Sequence, residues 1–95
     1  MSTPIRQEIL ALTIEELWER LKARQGMEFQ TAKGLPFAYE IRGGEMFVNR
    51  RSKSITKATF ERALEKVREN PEAVTGPKAL NLFGAPYIFA ILKNL

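Results

Sequence analysis

The residues with the most chemistry to offer lie between Arg42 and Lys57. Arg42, Arg50, Arg51, Lys53 and Lys57 stand there against Glu45 alone, a surplus of four that equals the net charge of the whole 95-residue chain. Elsewhere ten cations balance ten Glu. A concentrated set of cations attracts a polyanion by releasing its counterions, and the same charges keep an exposed edge strand soluble and unpaired. Phe47 and Asn49 sit among them. An exposed Phe ring can stack a base, and a carboxamide can reach a base edge. Ser52, Ser54 and Thr56 precede a helical pattern, where hydroxyls ordinarily cap the helix; with backbone amides and nearby cations they also resemble a phosphate-holding helix start.

The residue types that are missing narrow the chemistry further. The chain has no His, Cys or Asp. There is no imidazole base near neutral pH, no Ser-His relay, no thiol nucleophile, and neither imidazole nor thiolate to ligate zinc. Every acid is a Glu, and most lie in helical stretches beside basic neighbours. The expectation is therefore a protein that is not an enzyme and needs no cofactor or metal, with Glu, Lys, Ser or Tyr chemistry as the remaining routes. Lys33-Gly34 lacks the several glycines and the hydroxyl of a phosphate loop.

These residues need elements to position them. Gly43-Gly44 separates two runs rich in aromatic and β-branched residues, the mark of a two-residue hairpin turn. Counting outward pairs Arg42 with Glu45, Ile41 with Met46, Glu40 with Phe47, Tyr39 with Val48, Ala38 with Asn49 and Phe37 with Arg50. Phe37, Tyr39, Ile41, Met46 and Val48 then form a core face, and Arg42, Glu45, Phe47, Asn49 and Arg51 an outer one. Met27, Phe29 and Thr31 alternate with Glu28 and Gln30, which predicts a further strand over 27–31 and a three-stranded meander.

Helices flank this sheet. Thr3-Pro4 is a helix start for residues 4–12. Thr13 to Glu16 spells a capping box, with Leu12 and Leu17 as a hydrophobic staple, and Ile14, Leu17, Trp18 and Leu21 repeat at helical spacing up to the stop at Gly26. Thr56 caps a second long helix whose buried stripe is Phe60, Ala63, Leu64 and Val67, ended by Asn70-Pro71. In the apolar tail, Gly84 and Pro86 predict one helical turn over 78–83 and a final helix over 86–94. Tyr87, Ile88, Phe89, Ile91, Leu92 and Leu95 surround that helix, so it needs cover on all sides, from its own domain or from another copy. The pair of short helices has a helix-turn-helix outline, but Tyr87, Phe89 and Ile91 stand where groups for base edges belong.

Lys33 to Ile41 (KGLPFAYEI), a Gly turn, an Arg after the second strand, a Ser/Thr-capped helix with Phe60 and Ala63, Gly76-Pro77, and Gly84 to Leu92 (GAPYIFAIL) together resemble a group of small prokaryotic domains of unassigned function. The resemblance covers residues 33–92. It implies a DNA-related setting, through proteins linked to restriction systems or mobile elements, and no chemistry. Asn49 stands here where that group has Ser.

The expected fold is α+β: an N-terminal helix, an antiparallel β-meander of two or three strands with a Gly-Gly hairpin, then two or three helices packed on one sheet face, in a single domain over 1–95. With no apolar run of about 18 residues and no apolar leader at the start, the expected setting is cytoplasmic, away from membranes. The expected function is low-specificity binding of DNA or RNA by Arg42, Phe47, Asn49, Arg50, Arg51, Lys53 and Lys57. The alternative is a protein-interaction module, a homodimer or other protein partner docking through Leu80–Leu95 or the sheet edge.

Overall fold

The computed structural model describes residues 5–50 and 52–95. The fold is α+β, with four α-helices and two antiparallel sheets of two and three strands among the described residues. No helix among the described residues is long and apolar enough to cross a membrane.

Helix α1, Gln7–Leu10, is shorter than the 4–12 expected, and Thr3 and Pro4 lie outside the described residues. Its start carries no side-chain cap, and its C-terminal carbonyls are met from far along the chain: Arg68 donates from Nε to Leu10 O and from Nη2 to Leu12 O. Helix α2, Ile14–Ala23, forms as its capping box dictates. Glu16 N–H donates to Thr13 Oγ1 at 3.1 Å and Thr13 N–H donates to Glu16 Oε1 at 2.9 Å. Hydrogen bonds to the carboxylate from the Thr13 backbone N–H, and secondarily from its side chain, hold Glu16 below its ordinary pKa. Leu17, Trp18 and Leu21 of α2 are buried.

The hairpin register is the expected one. Strand β3, Tyr39–Arg42, pairs with β4, Glu45–Val48, as Tyr39 with Val48, Glu40 with Phe47, Ile41 with Met46 and Arg42 with Glu45. Gly43 alone in the turn has a positive φ, 61°, the pattern of a II′ turn, in which only the first central residue needs it.

The meander differs from expectation. Residues Phe29–Gln30 (β1) pair with Pro36–Phe37 (β2) in a separate two-stranded sheet, and the third strand beside the hairpin is Ile55–Thr56 (β5), added to β4. The cause lies at the outer edge of β3. There Gly26 N–H donates to Tyr39 O at 2.9 Å and Gln25 Oε1 accepts from Ile41 N–H at 3.0 Å, so the edge is occupied before residue 27 is reached. Met27, expected to alternate with Phe29, is left 53% exposed. Phe37 pairs with Phe29 instead of Arg50.

Helix α3, Lys57–Glu69, starts directly from β5: Thr56 ends the strand and caps the helix, its Oγ1 accepting from Thr59 N–H at 3.3 Å. Its buried residues are the expected Phe60, Ala63, Leu64 and Val67. A 3₁₀ helix, Pro77–Leu80, replaces the turn expected over 78–83, and Lys66 Nζ closes it by donating to Leu80 O at 2.7 Å. Helix α4, Ala85–Asn94, follows.

One hydrophobic cluster collects these elements. Phe29 stacks on Phe37 with centroids 5.8 Å apart, Tyr87 of α4 meets Phe37 edge-on at 5.0 Å, and Trp18 meets Phe60 edge-on at 5.7 Å, geometries that aromatic quadrupoles favour. Tyr87, Ile88, Phe89, Ile91, Leu92 and Leu95 are all buried within this chain. The stretch Leu80–Leu95, considered above as a surface for a second copy, thus has its apolar helix covered by its own domain.

Two positions test this packing. Gly84 caps α4 at φ 74°, and a Cβ there would lie 2.5 Å from Ile55 Cδ1, whereas a Cβ at Gly43 would meet nothing within 4 Å. A left-handed Ala costs about 1–2 kcal/mol, and overpacking adds about 1–3 kcal/mol. Urea denaturation is expected to show Gly84→Ala losing more stability than Gly43→Ala. Tyr39 tests the core chemically: its hydroxyl donates to Leu21 O at 2.6 Å, and burial pushes its pKa up to about 12 from 10.0. The folded state holds the proton more tightly than the unfolded chain, so this contribution is complete below pH 10 and declines as pH rises toward 12. Thermal melts across that window are expected to fall more steeply for wild type than for Tyr39→Phe.

Candidate nucleic-acid interface

Parity along β3 and β4 sends Tyr39, Met46 and Val48 into the core and Glu40, Arg42, Glu45 and Phe47 outward. Glu40, Arg42 and Glu45 are exposed and Phe47, the proposed stacking residue, is half-buried. Around Phe47 the side chains form a connected set. The Arg42 guanidinium lies 5.2 Å from the Phe47 ring centroid, a cation–π contact. Its Nη2 also donates to Glu40 Oε2 at 3.1 Å. Both ends of that ion pair are mostly exposed, 71% and 66%. Such a pair is worth about 1 kcal/mol at most, little enough for a phosphate to take the place of Glu40.

The other predicted residues fall into distinct settings. Asn49 follows β4 in a turn, and its side chain works for the backbone: Oδ1 accepts from Ala38 N–H at 3.1 Å, while Asn49 N–H donates to Ala38 O at 3.0 Å. This carboxamide bridges the break between β2 and β3. Arg50 was expected on the core face opposite Phe37. It lies instead in that turn, exposed, with Nη1 3.5 Å from Pro36 O, because β4 ends at Val48. Lys53 is exposed and forms no ion pair among the described residues. Lys57 Nζ lies 3.8 Å from Glu15 Oε2 at the start of α2. Arg51 lies outside the described residues.

Two acids escaped the charge count because it was taken along the chain. Glu40 could have been found, since the register already set it opposite Phe47. Glu15 could not, since its approach to Lys57 depends on how α2 meets α3. The phosphate reading of residues 52–56 also changes. Ser54 Oγ donates to Glu45 Oε1 at 2.7 Å, Thr56 Oγ1 serves Thr59, and Lys57 N–H donates to Gly44 O at 2.9 Å. The Ser54 and Thr56 hydroxyls and the Lys57 amide are thus already used, and a carboxylate stands beside them.

Three surface depressions adjoin the sheets. One of about 310 Å³ lies on the hairpin's outer side, between Phe47 and Asn49 and over Ala38. A neighbour of about 390 Å³ shares Ala38 and Asn49 and reaches Arg50. The largest, about 620 Å³, lies between the end of α2, β1 and α4 and contains Arg24, Glu28 and Lys93. The sequence reading assigned no role to Arg24 or Lys93; Lys93 Nζ sits 5.8 Å from the Phe89 ring centroid. Among the described residues no cluster of three or more potential metal-ligating side chains occurs. No protein-family model, curated protein or solved structure matches the chain.

The role of Asn49 is open to a direct test. Asn49→Ala removes the acceptor for Ala38 N–H and is expected to lower stability by about 0.5–1.5 kcal/mol. Asn49→Asp retains an acceptor and is expected to stay closer to wild type in the same urea titration.

Proposed function

We propose that this protein binds nucleic acid with low sequence specificity through the outer face of the β3–β4 hairpin. The observation that carries the reading is a sheet face with Glu40, Arg42 and Glu45 exposed, on which Arg42 lies over the half-buried Phe47, with Arg50 and Lys53 exposed beyond the end of β4. Long cations with weak or no carboxylate partners neutralise phosphates wherever the backbone passes, which gives affinity without base discrimination. In α4, the helix that a helix-turn-helix would lay in a groove, the positions that would meet base edges are the buried Tyr87, Phe89 and Ile91. Specific groove reading of the helix-turn-helix kind therefore has no support here. A protein partner docking through Leu80–Leu95 is disfavoured for the same reason, since the apolar residues of α4 are already covered.

The test is fluorescence anisotropy of labelled random duplex DNA, single-stranded DNA and RNA at about 50 and 200 mM salt, a range over which several phosphate contacts produce a steep loss of affinity. Binding is expected in the micromolar range at the lower salt and to weaken steeply at the higher. The variant Arg42→Ala/Arg50→Ala/Lys53→Ala is expected to reduce the slope of log affinity against log salt by about 2, each phosphate contact contributing roughly 0.7–0.9. Absence of binding to all three nucleic acids at the lower salt would overturn the proposal.

A further inference from the structure

We propose that the depression beside Phe47 receives an unpaired nucleobase, so that the hairpin face prefers single-stranded over duplex nucleic acid. This rests on the nucleic-acid reading above and specifies its ligand. Three rows of the outer face define the geometry. Arg42 and Glu45 lie next to the turn, Glu40 and Phe47 come next, and Ala38 and Asn49 follow beyond them. The Arg42 guanidinium covers the Phe47 ring from the turn side, 5.2 Å from its centroid. The depression of about 310 Å³ opens on the other side of the same residue.

It is open because Ala38 contributes only a methyl group between two larger neighbours, and Gly26, with no side chain, lies at its rim. At the lower end of the range of small-molecule pockets, about 300–1,000 Å³, this space suits one flat ring. Every base has a π-face, so a Phe wall accepts any of them, and the cation on the far side of the ring adds to the attraction without selecting a sequence.

The polar atoms at the rim match the edge of a base. Ala38 N–H must meet an acceptor, which assigns the Asn49 oxygen to that bond and leaves the amide NH₂ directed elsewhere as a donor. Glu40 uses Oε2 for Arg42, and Oε1 remains to accept from an exocyclic amine. A donor and an acceptor at the rim of a stacking wall serve a base whose pairing edge is free. In a duplex that edge is paired and both faces are stacked, so the depression stays unused and only the phosphate contacts remain. Arg50 and Lys53 are exposed where they can follow the backbone of the strand.

The experiment compares single strands of DNA and of RNA, each about 12 nucleotides long and so within the site size of small single-strand binders, with their annealed duplexes. Anisotropy is read at one low salt for wild type, Phe47→Ala and Ala38→Leu. Wild type is expected to bind single strands roughly 5- to 150-fold tighter than duplex, the equivalent of one stacked base. Both variants should bring single-strand affinity down to the duplex level while duplex affinity stays unchanged. Ala38→Leu fills the depression and leaves Phe47 and every charge in place, and circular dichroism and a thermal melt verify that each variant folds. A 2-aminopurine at the centre of the strand should be quenched by wild type and not by Ala38→Leu. The DNA and RNA arms separate the two sources of unpaired base. Equal affinity for strand and duplex, or single-strand binding unmoved by Ala38→Leu, would overturn this inference and leave the proposed function standing. Absence of any binding would overturn both.

Discussion

Trp18 donates its indole N–H to Gly43 O at 2.8 Å, which ties the tip of the hairpin to the middle of α2. The bond matters because β structure has a period of two: moving the turn by one residue would exchange the two faces of both strands. Tyr39, bonded to Leu21 O, pins the other end of β3 to the same helix, and Gln25 and Gly26 close the strand's outer edge. The segment from residue 18 to residue 26 thus holds β3 at its tip, base and edge. With the core face committed to α2, the opposite face carries the exposed Glu40, Arg42 and Glu45 around a half-buried Phe47.

Much of this was legible because it depends on local chemistry. The capping box of Thr13 and Glu16, the Thr56 cap, the Gly43 turn and the stripe of Phe60, Ala63, Leu64 and Val67 each lie within one element or one turn. Propensity, periodicity and short-range hydrogen bonds decide such features. The strand pairing outside the hairpin was not legible. Residues 29–30 alternate as a strand should, but their partner is settled by two bonds that Gln25 and Gly26 make elsewhere, and nothing in the pattern of 27–31 records that competition. The third strand, Ile55–Thr56, is only two residues long and reads as the approach to a helix because it is also that.

The proposed site was legible to a similar degree. Alternation was enough to put Phe47, Arg42 and Glu45 on one face. What those side chains touch was beyond it. Of the five cations in that stretch, the four described become one held by Glu40, one near Glu15, one at a backbone carbonyl and Lys53 exposed with no ion pair among the described residues. Asn49, read as a group for a base edge, turns out to splice the backbone at Ala38 with its oxygen, which frees its nitrogen to face outward. Counting charges along the chain overstated the field and missed the shape beside it.

The bonds from Arg68 to Leu10 O and Leu12 O span 58 and 56 positions. A helix of four residues has no stability of its own, since nucleation costs more than one turn returns. It is held by the burial of Ile9 and Leu10 in the common core and by a guanidinium near the far end of α3. During synthesis, residues 7–12 leave the ribosome well before Arg68 does, and the Leu10 and Leu12 carbonyls stay without this partner until it arrives. An opening of α3 that withdraws Arg68 therefore also loosens residues 7–12, which couples the exchange of their amides to that of a helix more than forty positions away.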